Sequence, residues 1–271
     1  MIAITNREYS QLSTYIQANY GIYLKEEKKT LITGRLHNVL VQLGFDNFTD
    51  YYQYILSDKT GEAVRTLLNK ITTNHTFFMR EVSHFDYFRD NILPVLTDNS
   101  KDKDLRIWSA GCSSGEEPYT LAMIIDEFFG KNKMWWDTKI LATDISSKAL
   151  EEAIKGIYTN EDIASLPTSW KLHYFKKIDH EKSILIDRIR NEVIYRKFNL
   201  MENIFPFKRK FQVIFCRNVM IYYDNQTKRE LVNKFYDSLE HGGYLFIGHS
   251  ETINREESLF KYINPSVYRK E

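Results

Sequence analysis

The sequence contains two cysteines, Cys112 and Cys216, which are too few for a disulfide framework. It has no run of about 18 apolar residues, the length that a membrane-spanning helix needs. Its N-terminal MIAITNREYSQL lacks the basic flank and apolar core of a signal peptide. Lysine and arginine (37) balance aspartate and glutamate (36), so the net charge of +1 gives no general attraction to nucleic acid or to an anionic membrane. We therefore expect a soluble, reduced, cytoplasmic protein with no nucleic-acid partner and no membrane insertion.

Patterns typical of metal binding and of nucleophilic thiols are also missing. His84, His241 and His249 show no ligand spacing, so no metal site is expected. Both cysteines are expected to be buried packing thiols, because free cysteine behaves as a small apolar residue in protein cores.

The first 72 residues have a helical pattern. Segments such as REYSQLSTYIQANYG and KKTLITGRLHNVLVQLG repeat apolar residues three and four positions apart, and they end at Gly21 and Gly44. No alternating β-branched run interrupts the pattern. We predict a small all-helical domain at 1–72, followed by a linker helix and a polar joint at 73–104.

From residue 105 onwards, short apolar strands alternate with helices. This alternation predicts an α/β domain at 105–271 with a doubly wound, mostly parallel sheet. The segment at about 170–195 breaks the alternation with short runs around a polar turn, and it predicts an antiparallel β insertion. The C-terminal KYINPSVYRKE predicts a final edge strand, because Pro265 fits poorly inside a sheet.

A glycine turn, Gly111 to Gly115, joins the first predicted strand to a helix within RIWSAGCSSGEEPYTLAM. Ligands of doubly wound sheets bind at such strand ends. No lysine follows Gly115, as a triphosphate-binding loop requires, and Glu116 and Glu117 at the start of the helix would repel a pyrophosphate. Ligands that contain phosphate are therefore disfavoured.

S-adenosylmethionine, which has no phosphate, fits this turn better. Acidic groups suit its sulfonium and ammonium, free backbone N–H groups suit its carboxylate, and Asp144 at the end of the second strand can bind both ribose hydroxyls. Two structural explanations stay open. The helix dipole alone favours an acid in the first turn of a helix, and Asp144 with Ser146 could simply cap the next helix. Together, the features indicate a methyltransferase-type sheet.

Four segments, in this order, resemble the CheR family of chemotaxis receptor glutamate methyltransferases. They are TTNHTFFMRE (Thr72 to Glu81), the glycine-turn segment, IFCRNVMIYYD (Ile214 to Asp224) and GGYLFIGHSE (Gly242 to Glu251). The resemblance covers nearly the whole chain. It implies an S-adenosylmethionine-dependent methyltransferase domain behind a helical domain that docks on the receptor. It also implies methyl transfer to chemoreceptor glutamates, with S-adenosylhomocysteine as the second product.

The same resemblance implies roles for individual residues. The segment at 73–104 would cover the cofactor, and Tyr222 would point toward the substrate. Glu116 or Glu117 would contact the methionine moiety, and which of them does so stays open. The implied cofactor-binding residues are Asn74, Thr76, Arg80, Gly111, Glu116, Glu117, Asp144 (ribose), Asn199 and Leu200 (adenine), Arg217 and Asn218.

A glutamate substrate would explain why the chain shows no catalytic triad and no pair of catalytic acids. A glutamate side chain has a reference pKa of about 4.3, so it is already an ionised nucleophile at neutral pH. The site then needs alignment, exclusion of water and a donor that orients the carboxylate. Arg80, whose guanidinium offers two donors to a carboxylate, and Tyr222, with its phenol, are the predicted catalytic residues.

The implied partner is the helical cytoplasmic domain of a chemoreceptor, on which family members generally act as monomers. Lys28 and Arg35, seven positions apart on one side of a helix, are the predicted receptor-binding residues. Some members tether themselves to a C-terminal receptor pentapeptide through a glycine-rich turn of the insertion. The corresponding turn here, KKIDHEKSIL, has no glycine, which favours direct recognition of the methylation helices instead.

Two alternative functions stay open. RNA and DNA methyltransferases share the sheet, but base-amino methylation commonly uses an Asn/Asp-Pro-Pro-aromatic motif where this chain has CRNVMIYY, and only FKRKF (207–211) is locally basic. A non-catalytic module that binds the cofactor or a receptor is the second alternative. The presence of Arg80, Asp144, Asn199 and Tyr222 argues against it.

Overall fold

The computed structural model describes residues 2–72, 75–100 and 102–271. Its N-terminal part is a helical bundle, as expected. A capping box between Thr5 and Glu8 starts the first helix, and the predicted helix ends at Gly21 and Gly44 are confirmed. Apolar side chains of these helices share one core. The helices are α1 (Asn6–Tyr20), α2 (Lys29–Leu43), α3 (Phe48–Ser57) and α4 (Glu62–Ile71), and a 3₁₀ turn (Glu26–Lys28) precedes α2.

A second helical stretch leads from the bundle to the sheet. It consists of α5 (Val82–Tyr87), a π turn (Phe88–Ile92) and α6 (Leu93–Asn99). Pro94, near the start of α6, has no N–H to donate to the carbonyl four residues earlier, and the wider π turn accommodates this loss. Phe85 is buried in the core beneath the sheet, so this stretch packs as part of the larger domain.

Strands and helices alternate along the rest of the chain, which confirms the predicted α/β fold. The strands are β1 (Ile107–Ala110), β2 (Ile140–Asp144), β3 (Ile157–Thr159), β4 (Phe175–Lys177), β5 (Lys182–Leu185), β6 (Val193–Lys197), β7 (Phe211–Cys216), β8 (Leu239–Ile247), β9 (Phe260–Asn264) and β10 (Val267–Lys270). The helices are α7 (Glu116–Phe129), α8 (Ser147–Lys155), α9 (Thr168–Tyr174), α10 (Asp187–Arg190) and α11 (Asn225–Ser238), with 3₁₀ turns at Gly130–Trp135 and Met220–Tyr222.

The larger sheet has the order β6-β2-β1-β7-β8-β10-β9. The strands from β6 to β8 pair in parallel, and β10 and β9 pair antiparallel at the end. Successive residues of β1 point to opposite faces: Ile107 packs in the core with α7, and Trp108 packs in the core with α11. The strand order reverses between β1 and β7, and that reversal marks the ligand-binding edge of such sheets.

The antiparallel insertion differs in extent from the predicted range of about 170–195. The small sheet has the order β3-β5-β4, so it begins at Ile157, directly after α8. The segment Val193–Lys197 instead pairs with β2 as the parallel edge strand of the larger sheet. A three-residue strand such as Ile157–Thr159 is too short to produce a recognisable alternation, which explains the difference.

The C-terminal tail forms a hairpin, β9 and β10, where one edge strand was expected. Pro265 lies in the turn between the two strands, where no ladder hydrogen bond is required of it. Among the residues that the structure describes, no helix has both the length and the apolar composition for a membrane span.

Candidate active site

A pocket lies at the carboxyl ends of β1, β2 and β7, where the strand order reverses. The N-terminal bundle closes one side of it through Tyr20, Ile22 and Ile71. Asn74 lies outside the described residues, and Glu116 does not line the pocket. The other residues predicted for the cofactor or the reaction do line it: Thr76, Arg80, Gly111, Glu117, Asp144, Asn199, Leu200, Arg217, Asn218 and Tyr222.

The turn after β1 needs glycine for steric reasons as well as for its backbone conformation. Gly111 has a φ of +83°, and a Cβ there would lie 2.3 Å from Cγ2 of Val219. Gly115 has a φ of +96°, and a Cβ there would lie 2.7 Å from the hydroxyl of Tyr195. Left-handed backbone is unfavourable for residues that carry a side chain. Glycine therefore lets the turn pass closely beneath the pocket.

The backbone N–H groups of the turn are largely engaged within the protein. Those of Gly111 and Cys112 donate to the Thr143 carbonyl at 2.7 and 2.9 Å. That of Ser113 donates to Asp144 Oδ2 at 2.8 Å. The expectation that free N–H groups of the turn would receive a ligand carboxylate is therefore wrong for these three positions.

Asp144 ends β2, and the backbone fixes its carboxylate at the pocket. Its Oδ2 accepts from the Ser113 N–H and its Oδ1 from the Ser146 N–H, both at 2.8 Å. Ser146 rather than Asp144 caps α8, because its side chain accepts from the Ala149 N–H. Burial raises the pKa of Asp144, although the two hydrogen bonds act against the shift. Each carboxylate oxygen keeps a further lone pair that can accept from a ligand hydroxyl.

The two adjacent glutamates at the start of α7 have different surroundings. Glu117 accepts from Ser109 Oγ at 2.7 Å and from Arg217 Nη1 at 3.0 Å. Burial raises the pKa of Glu117, even though Arg217 acts in the opposite direction. Glu116 is 6% exposed and accepts from Ser114 Oγ at 2.9 Å, and burial raises its pKa to about 7. The geometry favours Glu117 for contact with a cationic ligand.

Arg217, directly after β7, connects three parts of the site. It is 7% exposed, and it pairs through Nη1 with Glu117 and through Nη2 with Glu81, both at 3.0 Å. Its Nη2 also donates to the carbonyl of Arg80, and its guanidinium carbon lies 5.0 Å from the ring centroid of Phe85. A buried guanidinium depends on such partners. Arg217 thereby joins the segment over the pocket to the start of α7.

The loop after β7 is held by a buried carboxylate. Asn218 has a left-handed φ of 58°, and its backbone N–H donates to Glu251 Oε2 at 2.9 Å. The N–H groups of Ile221 and Gly248 donate to the same carboxylate at 3.1 and 2.5 Å. Glu251 is 6% exposed. Its carboxylate therefore sets the path of the loop that lines the pocket.

Arg80 lies in the segment that covers the pocket. Its Nη1 donates to the carbonyl of His75 at 2.6 Å, and its guanidinium carbon lies 6.0 Å from the ring centroid of Phe77. Phe78 is fully buried, and its ring centroid lies 4.8 Å from that of Tyr158 on β3. The small sheet thus supports the covering segment from below, while Arg80 remains at the pocket.

Tyr222 lies where the pocket meets the N-terminal bundle. Its carbonyl accepts from the Tyr23 N–H at 2.8 Å, and Lys28 Nζ lies 5.4 Å from its ring centroid. Lys28 belongs to the 3₁₀ turn before α2. Arg35, the other predicted receptor-binding residue, donates to the carbonyl of Ile71 at 3.2 Å, at the end of α4. The two basic residues therefore have different surroundings.

The connection between β6 and β7 carries the residues predicted to face adenine. Leu200 is 7% exposed and lines the pocket beside Phe198. Asn199 Nδ2 donates to the carbonyl of Asn19 at 2.8 Å, and Asn199 Oδ1 accepts from the Met201 N–H at 3.1 Å. Asn199 therefore also attaches the N-terminal bundle to the larger domain.

One group of potential metal ligands occurs within the described part of the chain: Glu81, His84 and His249, whose ligand atoms lie within 4.8 Å of one another. The two histidines are far apart in sequence, so spacing could not predict this cluster. Burial and the charge of Arg217 lower the pKa of His84 to about 3. Glu81 is already paired with Arg217, whose charge also disfavours a cation here. We assign no metal to the cluster.

The cysteines are buried, as expected. Burial raises the pKa of the Cys112 and Cys216 thiols, so both favour the neutral form. A thiol in that form is a weak nucleophile.

Glu81 and Glu251 are two acids at the site for which the sequence suggested no role. Each is the last residue of a motif, TTNHTFFMRE or GGYLFIGHSE, and an acid at the end of a motif is the only signal the sequence offers. Glu81 and Arg217 are 136 positions apart, so spacing could not reveal that they pair.

The strand order, the glycine turn after β1 and the acid at the end of β2 define the class of doubly wound S-adenosylmethionine-dependent methyltransferases. Two family descriptions match the chain: "CheR methyltransferase, all-alpha domain" at 7–72 and "CheR methyltransferase, SAM binding domain" at 74–269. The chain belongs to the CheR methyltransferase family, as the sequence motifs predicted.

Relatives match over nearly their full length. A chemotaxis protein methyltransferase of Borreliella burgdorferi is 46% identical over 272 residues, covering 99% of this chain and 96% of that protein. A probable chemotaxis protein methyltransferase of Rhizobium etli is 37% identical, covering 94% and 96%. Chemotaxis protein methyltransferase 2 of Vibrio cholerae is 33% identical, covering 96% and 90%.

Proposed function

We propose that this methyltransferase transfers methyl groups from S-adenosylmethionine to glutamate side-chain carboxylates in the helical cytoplasmic domain of chemoreceptors. The products are a glutamate methyl ester and S-adenosylhomocysteine. The observation that carries the proposal is the pocket itself, in which Glu117, Asp144 and Arg80 face one space between the bundle and the sheet. The family match across both parts of the chain supports it.

The pocket has the donor and acceptor groups that S-adenosylmethionine requires. Asp144 would accept from the ribose hydroxyls, Asn199 and Leu200 would line the adenine, and Glu117 rather than Glu116 would face the cationic methionine moiety. The remaining proposed cofactor contacts are Asn74, Thr76, Arg80, Gly111, Arg217 and Asn218.

The reaction makes few chemical demands on the protein. When bound, S-adenosylmethionine supplies an electrophilic methyl group on a sulfonium, whose departure as a thioether requires no proton. The substrate carboxylate, with a reference pKa of about 4.3, needs no general base at neutral pH. The protein must therefore align the carboxylate and exclude water, and such alignment can contribute roughly 7–11 kcal/mol.

Arg80 and Tyr222 are the proposed catalytic residues. Arg80 would orient the substrate carboxylate through its guanidinium, and Tyr222 would donate a phenolic hydrogen bond to the same group. Both line the pocket, and each is attached to a different side of it: Arg80 to the covering segment and Tyr222 to the loop after β7. The two side chains would thus approach the substrate from two directions.

The N-terminal bundle at 1–72 is the proposed receptor-docking domain, with 73–104 covering the cofactor and 105–271 holding it. Lys28 and Arg35 are the proposed contacts to the acidic receptor surface. Lys28 lies against Tyr222, so a receptor helix that contacts Lys28 would bring its glutamates close to the pocket. We place the enzyme in the cytoplasm and propose that it acts as a monomer.

Direct docking is proposed rather than tethering to a receptor pentapeptide. Between β4 and β5 the turn is closed by Asp179, whose Oδ1 accepts from the N–H groups of Glu181 and Lys182 at 2.8 Å. A tethering peptide would be expected to add a strand to an edge of this small sheet. Titration with a receptor C-terminal pentapeptide should show no tight binding, and micromolar or stronger binding would contradict direct docking.

The decisive experiment uses the purified full chain, radiolabelled S-adenosylmethionine, chemoreceptor cytoplasmic fragments and, in parallel, RNA. Label on the receptor that mild base releases as methanol is the expected result, because a carboxyl methyl ester is labile to base. Base-stable label on RNA would overturn the proposal in favour of a nucleic-acid methyltransferase. Cofactor binding without label on either substrate would favour a non-catalytic binding module.

A further inference from the structure

Glu81 lies in the covering segment, directly before α5, and its carboxylate has three partners on two other loops. Its Oε2 pairs with Arg217 Nη2 at 3.0 Å. Its Oε1 accepts from Asn218 Nδ2 at 3.1 Å and from the backbone N–H of His249 at 3.2 Å. One side chain therefore attaches the covering segment both to the loop after β7 and to the loop after β8.

The backbone around Arg80 needs such an attachment. Met79 and Glu81, on either side of it, have left-handed φ values of 61° and 57°. Non-glycine residues in this region are strained, and they keep that conformation only where the surroundings hold them. The carboxylate of Glu81 and the contact between the Arg80 carbonyl and Arg217 Nη2 are the polar contacts that tie this part of the segment to the loop after β7.

The electrostatic environment also favours the ionised form of Glu81. Burial by itself would raise the pKa of Glu81, but Arg217 and the hydrogen bonds from Asn218 and His249 outweigh burial and lower it. Glutamine at this position would keep the shape of the side chain and lose its charge. Its amide NH₂ would then face the donor groups of Arg217 or Asn218.

We propose that Glu81 is a positioning residue of methyl transfer, which fixes the covering segment so that Arg80 meets the substrate carboxylate in the productive orientation. The inference rests on the proposed function. Glu81 does not line the pocket, and it acts through Arg80. A group displaced by about 1 Å can cost on the order of 100-fold in rate, so a loosened segment should slow the chemical step.

A double-mutant cycle tests this directly. The kcat of the full chain is measured with saturating S-adenosylmethionine and receptor fragment, so that changes in the affinity for either substrate do not affect the comparison. Glu81→Gln should lower kcat about 10- to 100-fold in the wild-type background. In an Arg80→Ala background it should lower kcat less than about threefold, because the Arg80 side chain that Glu81 positions is then absent. Equal losses in both backgrounds, or an unchanged kcat in Glu81→Gln, would overturn the inference.

Controls separate this role from a loss of folding. Glu161→Gln removes one negative charge from an exposed position and should leave kcat unchanged. Thermal melts report whether each variant folds, and hydrogen exchange of 75–81 should be faster in Glu81→Gln than in the wild type.

If Glu81→Gln does not fold, Glu81→Asp enters the same cycle with the same criterion. No turnover by the wild type would overturn the proposed function and this inference with it, whereas wild-type turnover with additive losses would overturn the inference alone.

Discussion

Lys28 and Tyr222 belong to different parts of the molecule, yet Lys28 Nζ lies 5.4 Å from the ring centroid of Tyr222. The neighbouring backbone is joined as well, since the Tyr23 N–H donates to the Tyr222 carbonyl at 2.8 Å. This contact places a positive charge of the N-terminal bundle at the edge of the pocket. In the proposed reaction, an acidic receptor helix would meet that charge before its glutamate reaches Tyr222.

Replacing Lys28 by alanine should therefore weaken recognition of the receptor more than it slows methyl transfer. We expect the KM for a receptor fragment to rise about 3- to 10-fold, because a charge at the rim of an interface acts mainly on encounter and orientation. Initial rates at low and high salt provide the measurement. The difference between variant and wild type should shrink at high salt, since screening removes the lost attraction. An unchanged KM at low salt would exclude Lys28 from docking.

Arg35→Ala should behave differently, because Arg35 has a role within the fold. Its Nη1 donates to the carbonyls of Lys70 and Ile71 at the end of α4, at 3.4 and 3.2 Å. Loss of these hydrogen bonds should lower the free energy of unfolding by about 1 kcal/mol, as urea melts would measure. A raised receptor KM with no change in stability would instead show that docking is the main role of Arg35.

Gly111→Ala should damage cofactor binding as well as stability. The left-handed backbone costs roughly 1–2 kcal/mol for alanine, and the new Cβ would lie 2.3 Å from Cγ2 of Val219 at the pocket. We expect S-adenosylmethionine affinity, measured by calorimetry, to fall at least about 10-fold. Gly44→Ala is the matched control, because its φ is +75° and a Cβ there has nothing within 4 Å. It should lose stability and keep cofactor affinity, and equal affinity losses in both variants would contradict the steric explanation.

The parts of this site that were predictable from sequence are those fixed by local conformation. The turn from Gly111 to Gly115 follows one strand and Asp144 ends the next, so periodicity and a short motif were sufficient to locate them. The negative charges of Glu116 and Glu117 at the start of the next helix then disfavoured phosphate ligands.

The parts that were not predictable depend on contacts between distant segments. Neither the pairing of Glu81 with Arg217 nor the closure of the pocket by Tyr20 leaves a periodic signal, since both depend on how separate elements pack. The choice between Glu116 and Glu117 also depends on how their helix is oriented against the pocket. Adjacent residues of a helix point about 100° apart, and sequence alone does not say which of them faces the pocket.

Charge removal at these two glutamates should affect cofactor binding unequally. Glu117 lines the pocket and pairs with Arg217, so Glu117→Gln should weaken S-adenosylmethionine binding about 10-fold or more. Glu116 does not line the pocket, and Glu116→Gln should change the affinity by less than about twofold. Isothermal titration of both variants makes the comparison. A larger loss in Glu116→Gln would reverse the proposed assignment.

Glu116 should instead make stability depend on pH. Burial raises its pKa from 4.5 to about 7 in the folded protein. Between these two values the folded state holds a proton that the unfolded state has released, so the free energy of unfolding falls as pH rises through this window. Two and a half pKa units correspond to at most about 3 kcal/mol.

Glu116→Gln isolates this contribution, because glutamine resembles the protonated acid at every pH and can still accept from Ser114 Oγ. Urea melts of both proteins at pH 5 and pH 8 provide the test. The variant should have nearly wild-type stability at pH 5 and be more stable than wild type at pH 8, by up to about 3 kcal/mol. Glu161→Gln, an exposed position, controls for the loss of one negative charge. The same stability difference at both pH values would mean that Glu116 ionises in the folded protein as it does in the unfolded chain, and that its burial leaves its proton affinity unchanged.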